Sequence, residues 1–440
     1  MTENPLLSAT YLLIILVLAG LSLTRRRIYV ICGFYCVYGF VKVLGLGSVM
    51  DWAQLAVFRA LYLVLLVSVG VRFVQDRAYL AQLRRWPLVS YSILLALFLA
   101  SALYSPSSEP FSQEPWNLRG LLTIISLFLL TASQFQEEND LRIFALTTVV
   151  VSLALSVWVI LAAAQLNFEV LRGGIDVNQN YVSVFVLAGI IPLIHILFAA
   201  ERGLLKFLLL PVLLVVVLAS LILASRGMIA AALVGVVLMA ARVARSRGFS
   251  ALLALIAILV LIGAVAMILP GGDSLAARSL EGNAGTLNDR TLIWSHAMRY
   301  FADSGIARMI FGQGLSSGTF VLRPVLPLFE NYHNEYLTWL MNQGVLGLAA
   351  FLAFLYSVIQ RVRTCSHPLK SIMLGWLAFL GVAGLSSTVS DLHLFWILVG
   401  VITGASSLAK FSRSSIQPGW VVLRRSPAST TSAPAIEDGI

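Results

Sequence analysis

Three arginines and a histidine stand out in this chain, each at a glycine- or asparagine-rich break in an apolar sequence. Arg172 lies in Leu171-Arg-Gly-Gly-Ile-Asp-Val-Asn178-Gln-Asn180, Arg226 follows Leu221-Ile-Leu-Ala-Ser225, Arg290 follows Gly282-Asn-Ala-Gly-Thr-Leu-Asn-Asp289, and His333 sits in Asn331-Tyr-His-Asn334-Glu335-Tyr336. A guanidinium offers a planar fork of N–H donors that fits phosphate oxygens. A neutral imidazole accepts a proton. Together these groups suit transfer from a phosphate leaving group to a hydroxyl, with arginines neutralising the departing charge and the histidine taking the proton.

Each residue also has a plainer reading. Arg226 could snorkel to water from a tight turn between apolar runs. Asn178 or Asn180 could cap the helix that starts there, or could join Arg172 in an anion site at that helix start. Asp289 could pair with Arg290 or cap. His333, placed by the pattern in the first turn of an apolar helix with Asn331 as its cap, could be a hydrogen-bonded structural group. A helix N-terminus and nearby arginines both disfavour imidazolium, which keeps the ring ready to accept a proton. Glu335 is the competing base, and His296 and His393 are further candidates on the same face. His195 and His367 fall near or on the opposite side. The sparse acidic residues form no metal-ligand motif on this face, and no cofactor is expected.

The elements that must position these groups are membrane helices. The chain has 440 residues, 59% of them hydrophobic and 11% charged, and a mean hydropathy of +0.91. That is more apolar surface than a soluble domain of this size buries. Apolar runs fall at 6–23, 28–47, 53–74, 88–103, 119–134, 143–164, 181–200, 206–224, 227–241, 250–269, 335–359, 371–389 and 392–409. These thirteen candidate spans are of the order of the ~20 residues that cross a bilayer, and their lack of alternation excludes barrel strands. The formal charge of +10 sits in short loops between the runs. That is the positive-inside pattern, not a nucleic-acid face.

Parity then places Arg25–Arg27, Arg72, Arg77, Arg84, Arg85, Arg142, Arg202, Arg242, Arg361, Arg363 and the tail on the cytoplasmic side. Arg172, Arg226, Arg290 and His333 face outward. The expected organisation is an N-terminal transmembrane bundle over 1–269, an outer loop with short helices over 270–334, C-terminal transmembrane helices over 335–409, and a disordered inner tail over 410–440. Tyr, Trp and Phe on one side of the stretch Arg290–Phe301 suggest a helix lying on the membrane surface. Cys32, Cys36 and Cys365 are few and separated, so neither a disulfide framework nor a zinc site follows.

The ordered set of motifs resembles the O-antigen ligase and O-antigen polymerase superfamily of bacterial inner-membrane glycosyltransferases. It comprises Asn178-Gln-Asn180 opening a span, Ser225-Arg-Gly227, Arg290 with Trp294, Phe311-Gly-Gln-Gly314, His333-Asn334-Glu335-Tyr-Leu, and Gln343-Gly-Val-Leu-Gly347, covering about residues 170–360. The resemblance implies an all-α fold like the C-type membrane glycosyltransferases, with the active face in the periplasm. It also implies a glycan donor on undecaprenyl pyrophosphate, a lipid A-core or other glycan acceptor, and metal-independent inverting transfer. By the same resemblance Arg172, Arg226 and Arg290 would hold the pyrophosphate, His333 would activate the acceptor hydroxyl, and Asn178, Asn180, Asn334 and Glu335 would support them. The thirteenth span departs from the twelve usual in such ligases. Ligation is the leading expectation, ahead of polymerisation and of O-linked protein glycosylation. A polysaccharide transporter would call for mid-membrane ionisable residues or repeat symmetry, and the chain has neither.

The topology is open to test: a cysteine at Ser108 is expected to react with an impermeant thiol reagent from outside intact cells, and one at Ser246 only after lysis. Labelling of Ser246 from outside would overturn the parity and the shared face.

Overall fold

A computed structural model describes residues 16–24, 26–43, 52–84, 86–105, 118–165, 179–199, 203–223, 225–247, 290–326, 331–388 and 393–408. Arg172, Asn178, the side chain of Arg226, the apolar run at 250–269 and the tail at 410–440 lie outside the described residues.

A helical stretch at 16–22 leads into α1 (Ile28–Val43), α2 (Trp52–Gln75), α3 (Arg77–Leu83), α4 (Leu88–Leu103), α5 (Leu118–Ala132) and α6 (Glu138–Gln165). Then come α7 (Gln179–Ala188), α8 (Ile190–Ala199), α9 (Gly203–Leu223) and α10 (Arg226–Arg247). The short helices α11 (Arg290–Asp303), α12 (Ile306–Phe311) and α13 (Ser317–Leu322) precede α14 (Glu335–Thr364), α15 (Lys370–Ala383) and α16 (His393–Leu408). No strand occurs among the described residues.

Among the described residues three helical stretches, Glu138–Gln165, Asn180–Phe198 and Glu335–Thr364, are long and apolar enough to cross a membrane, and shorter apolar helices accompany them. Large apolar side chains remain exposed along these helices, among them Val89, Ile93 and Leu103 on α4, Val150 and Leu161 on α6, and Phe207 on α9. Exposure on this scale fits contact with lipid, where it carries no penalty, and supports a membrane-embedded protein.

Helices in lipid gain little from apolar burial against one another, so close backbone approach becomes the main source of packing energy. A Cβ added at Gly235 of α10 would lie 2.6 Å from the carbonyl oxygen of Gly375 on α15. On α16, Gly400 and Gly404 meet α5 in the same way, each with a Cβ position 2.7 Å from a carbonyl oxygen, of Phe128 and Ala132 respectively.

At the basic end Arg72 is only 2% exposed. It donates to the carbonyl oxygens of Ser133 and Phe135 just past α5, lies 3.5 Å from Asp76 and stands over the Tyr79 ring. A charge legible as a topology marker thus also fastens α2 to the end of α5.

The outer helices have a small core of their own. Ile293, Ala297 and Phe301 of α11 pack with Val321 and Leu322 of α13 and with Tyr332, Leu337 and Met341, while Trp294 and Tyr300 lean on the same cluster. The aromatic side of α11, from which a helix at the membrane surface is expected, is thus taken up by this core. Those aromatics fill the gap between α11, α13 and the start of α14, and the exposed large apolar residues of α11 are Leu292 and Met298.

Because the atom facing Gly235 is backbone, Gly235→Ala forces α10 and α15 apart and is expected to destabilise the protein by about 1–3 kcal/mol, the usual cost of overpacking. Gly70→Ala, with no atom within 4 Å of the added Cβ, should not. Thermal unfolding in detergent, followed by size-exclusion or intrinsic fluorescence, separates the two.

Candidate functional site

The site assembles around the mouth of α14. Asn334 is extended, with φ −153° and ψ 118°, and its side chain accepts the N–H of Leu337 as the helix cap at 3.0 Å. His333, immediately before it, has a left-handed backbone with φ 50°. An L-residue holds that conformation only when its surroundings enforce it. Asn331 supplies part of that enforcement, since its Oδ1 accepts the His333 N–H at 2.9 Å. The sequence expectation therefore needs correcting in two respects: the cap is Asn334, because the Asn331 oxygen is spent on His333, and His333 precedes the helix instead of lying in its first turn.

Neighbouring elements close around this mouth. From α11, the Trp294 indole donates to the Tyr332 carbonyl at 2.9 Å. Below it, the Tyr332 hydroxyl meets Ser317 Oγ at 3.0 Å, and Ser317 Oγ donates to Asn342 Oδ1 at 2.7 Å. The turn that follows α15 comes in from the other side. Gly384 O accepts the Glu335 N–H at 2.7 Å, and Leu385 O accepts from Asn334 Nδ2 at 3.3 Å.

The same turn reaches α10. A Cβ at Gly227 would collide with the Ser386 side chain and stand 3.9 Å from Nη1 of Arg290. The guanidinium of Arg290 thus lies beside the first turn of α10, where Arg226 is the first helical residue. One residue earlier, Ser225 Oγ donates to Asn180 Oδ1 at 2.8 Å. Asn180 is thereby tied to the α9–α10 junction. The structure brings Asn180, the start of α10, Arg290 and His333 to the same end of the bundle, and does not describe Arg172 or Asn178.

The electrostatics follow from this arrangement. Burial, and secondarily the positive charge of Arg290, hold the His333 imidazole below its ordinary pKa of 6.5. Burial is thus a larger cause than the neighbouring arginine that the sequence points to. Burial also lowers Arg290 and raises Tyr332. A guanidinium nevertheless stays charged. At neutral pH the mouth therefore presents a fixed cation beside a neutral imidazole.

The other candidates have other employment. Glu335 is 1% exposed, and its Oε1 accepts the Trp339 indole N–H at 2.5 Å. His296 Nε2 is 3.1 Å from the Val321 carbonyl oxygen, linking α11 to α13. His393 lies against Tyr38 with ring centroids 4.5 Å apart. At the other end, His195 Nδ1 is 3.0 Å from Ser371 Oγ. His367, 3.2 Å from the Glu138 carbonyl oxygen, is pushed down to about 4 by burial. Among the described residues no three His, Cys, Asp or Glu side chains group as a metal site. Sequence reasoning missed Ser386 and Thr388: a Ser-Ser-Thr turn carries no signal of what it faces across the fold.

Residues 211–352 match the family model described as O-antigen ligase. The matched segment runs from within α9 into α14 and takes in Arg226, Arg290 and His333, but not Asn180 or the turn after α15. No curated protein matches the chain.

Titration of labelled histidine by NMR is expected to show His333 protonating below 6.5. In Arg290→Gln the inflection should rise, because a positive neighbour disfavours the protonated ring. It should not reach 6.5, since burial remains. An unchanged inflection would mean that Arg290 and His333 do not share the mouth.

Proposed function

We propose that this protein is a member of the O-antigen ligase and polymerase family and a periplasmic-face glycosyltransferase of the bacterial inner membrane, with a fold like the C-type membrane glycosyltransferases. It moves a glycan from undecaprenyl pyrophosphate to an acceptor hydroxyl, most simply on the lipid A-core during lipopolysaccharide synthesis. The observation that carries this reading is a neutral, half-buried imidazole and a fixed guanidinium held together at one helix mouth, inside the segment that matches the family.

In this mechanism Arg290, with Arg226 and Arg172 as the further pyrophosphate ligands, neutralises the donor. An acceptor hydroxyl attacks the anomeric carbon from the face opposite the pyrophosphate, and the configuration inverts. The bond from the anomeric carbon to the phosphate oxygen breaks, and its electron pair leaves with undecaprenyl pyrophosphate. The hydroxyl proton passes to His333. Because pyrophosphate is already a good leaving group, the arginines take the place of a general acid, and no step calls for a divalent cation. Asn334 sets the start of α14 and Asn180 braces the turn before Arg226. Asn178 is assigned to the same support.

Polymerisation, with a second lipid-linked glycan as acceptor, is the alternative within the same family and uses the same mouth. Incubation of purified protein with a lipid-linked glycan and either lipid A-core or a second lipid-linked glycan, read by product mass, decides between them. Product with neither acceptor, from a protein shown to be folded, would sink both.

His333→Ala should lower transfer by roughly 10²–10⁴-fold, the usual contribution of a positioned base, while donor binding persists. Glu335→Gln should keep most of the activity, because its carboxylate faces Trp339. Equal, complete loss in a stable Glu335→Gln protein would shift the proton-accepting role to the carboxylate. Activity is expected to survive excess chelator. Arg226→Ala should abolish most of it, with only partial recovery in Arg226→Lys, which keeps the charge but loses the fork.

A further inference from the structure

The turn after α15 does more than pack against the site. Thr388 is 6% exposed, and its Oγ1 donates to Asn331 Oδ1 at 2.6 Å. The same oxygen accepts the backbone N–H of His333 at 2.9 Å. A carboxamide oxygen has two lone pairs, and here one is spent on the left-handed histidine and the other on a residue 57 positions away. Without Thr388 nothing in this relay would stop Asn331 from rotating, and the N–H of His333 would lose its acceptor. The φ of 50° at His333 would then have less to hold it.

The rest of the turn faces the same way, through Gly384 to Glu335, Leu385 to Asn334 and Ser386 to Gly227. We infer that Thr388, acting through Asn331, is a positioning residue that holds His333 in its left-handed conformation and so aims the imidazole at the acceptor hydroxyl. This inference rests on the proposed role of His333 as proton acceptor and adds the device that orients it.

The consequences separate from those of a residue that merely stabilises the fold. Displacing a catalytic group by about 1 Å can cost on the order of 10²-fold in rate. Thr388→Val, which keeps the shape and removes the hydroxyl, should therefore lower kcat tenfold to a hundredfold. The donor KM should stay near the wild-type value, because the arginines bind the donor independently. Thr388→Ser, which restores the hydroxyl, should recover most of kcat. Asn331→Ala should fall as far as Thr388→Val, and the double variant should fall no further than Asn331→Ala alone, because both act through one oxygen.

The measurement is steady-state transfer by the purified full-length chain, with thermal unfolding recorded for each variant; should Thr388→Val not fold, Thr388→Ala supplies the same comparison. Wild-type kcat in Thr388→Val, equal losses in the Ser and Val variants, or additive losses in the double variant would each overturn the inference. His333→Ala runs beside them. If it remains active, the proton-acceptor role itself is wrong; if it is inactive while Thr388→Val is fully active, only the positioning role fails.

Discussion

The break in α14 at Gly344 is the constraint around which the site is arranged. Gly344 has φ 71° and ψ −167° inside an otherwise continuous 30-residue helix. A helix interrupted this way leaves carbonyl oxygens in the preceding turn without their usual amide partners. Met341 O instead accepts from Gln313 N at 2.7 Å, and Asn342 O accepts from Gly314 N at 3.0 Å. Losing either partner in an apolar setting would cost about 1–3 kcal/mol, so the outer segment completes the helix as much as it decorates it. The approach is close enough that a Cβ at Gly312 would strike the Asn342 carbonyl, and one at Gly344 the Ile310 carbonyl. Both glycines also have positive φ, which other residues adopt only under strain. The end of α4 completes the joint, with Ser101 O accepting from Leu315 N at 3.1 Å and Ser105 Oγ donating to Leu315 O at 2.6 Å. Docked there, the segment carries α11, and with it Arg290, to the mouth of α14.

What the mouth can do depends on keeping one group charged and its neighbour neutral. Arginine tolerates burial because its ordinary pKa is so high, whereas histidine sits near neutrality and responds to modest perturbation. Burial and a nearby cation act on His333 in the same direction. The small residues make this proximity possible. Gly227 lets Ser386 touch the first turn of α10 while Arg290 passes alongside, and any larger residue there would push either the turn or the guanidinium away.

The parts of this arrangement that could be read from the sequence are those carried by short motifs. Phe311-Gly-Gln-Gly314 and Gln343-Gly-Val-Leu-Gly347 are among the motifs that carry the family resemblance, and they turn out to be the two halves of one joint. The helical class followed from apolar run length, because in lipid the backbone has few other ways to satisfy itself. What could not be read were choices between equivalent donors and acceptors. Asn331 and Asn334 are both plausible caps by position; in the fold Asn331 is held between His333 and Thr388 on a distant turn, and Asn334 caps the helix. The aromatic side of α11 was likewise ambiguous. Trp294 and Phe301 would suit a bilayer surface, but the packing of α13 and of the start of α14 offered them a core. Arg72 shows the same limit: its charge marks topology, but the carbonyls it binds lie just past the end of a helix far along the chain.

The sequence places a carboxylate two residues from the histidine, and a carboxylate is an ordinary general base. The fold sets the two groups in different directions. His333 lies before the cap and outside the helix, whereas Glu335 is the first helical residue and is turned inward. Its oxygen is met by the Trp339 indole one turn on, and that indole is stacked on Phe351 at 5.0 Å and 12°. A Cβ at Gly384 would lie 3.1 Å from that of Glu335, so the turn after α15 lies against the base of this side chain. To reach a hydroxyl at the mouth Glu335 would have to leave the indole and its buried setting. His333 needs no such movement, and its left-handed backbone, which costs on the order of 1–3 kcal/mol, is what lifts it clear of the helix that buries its neighbour.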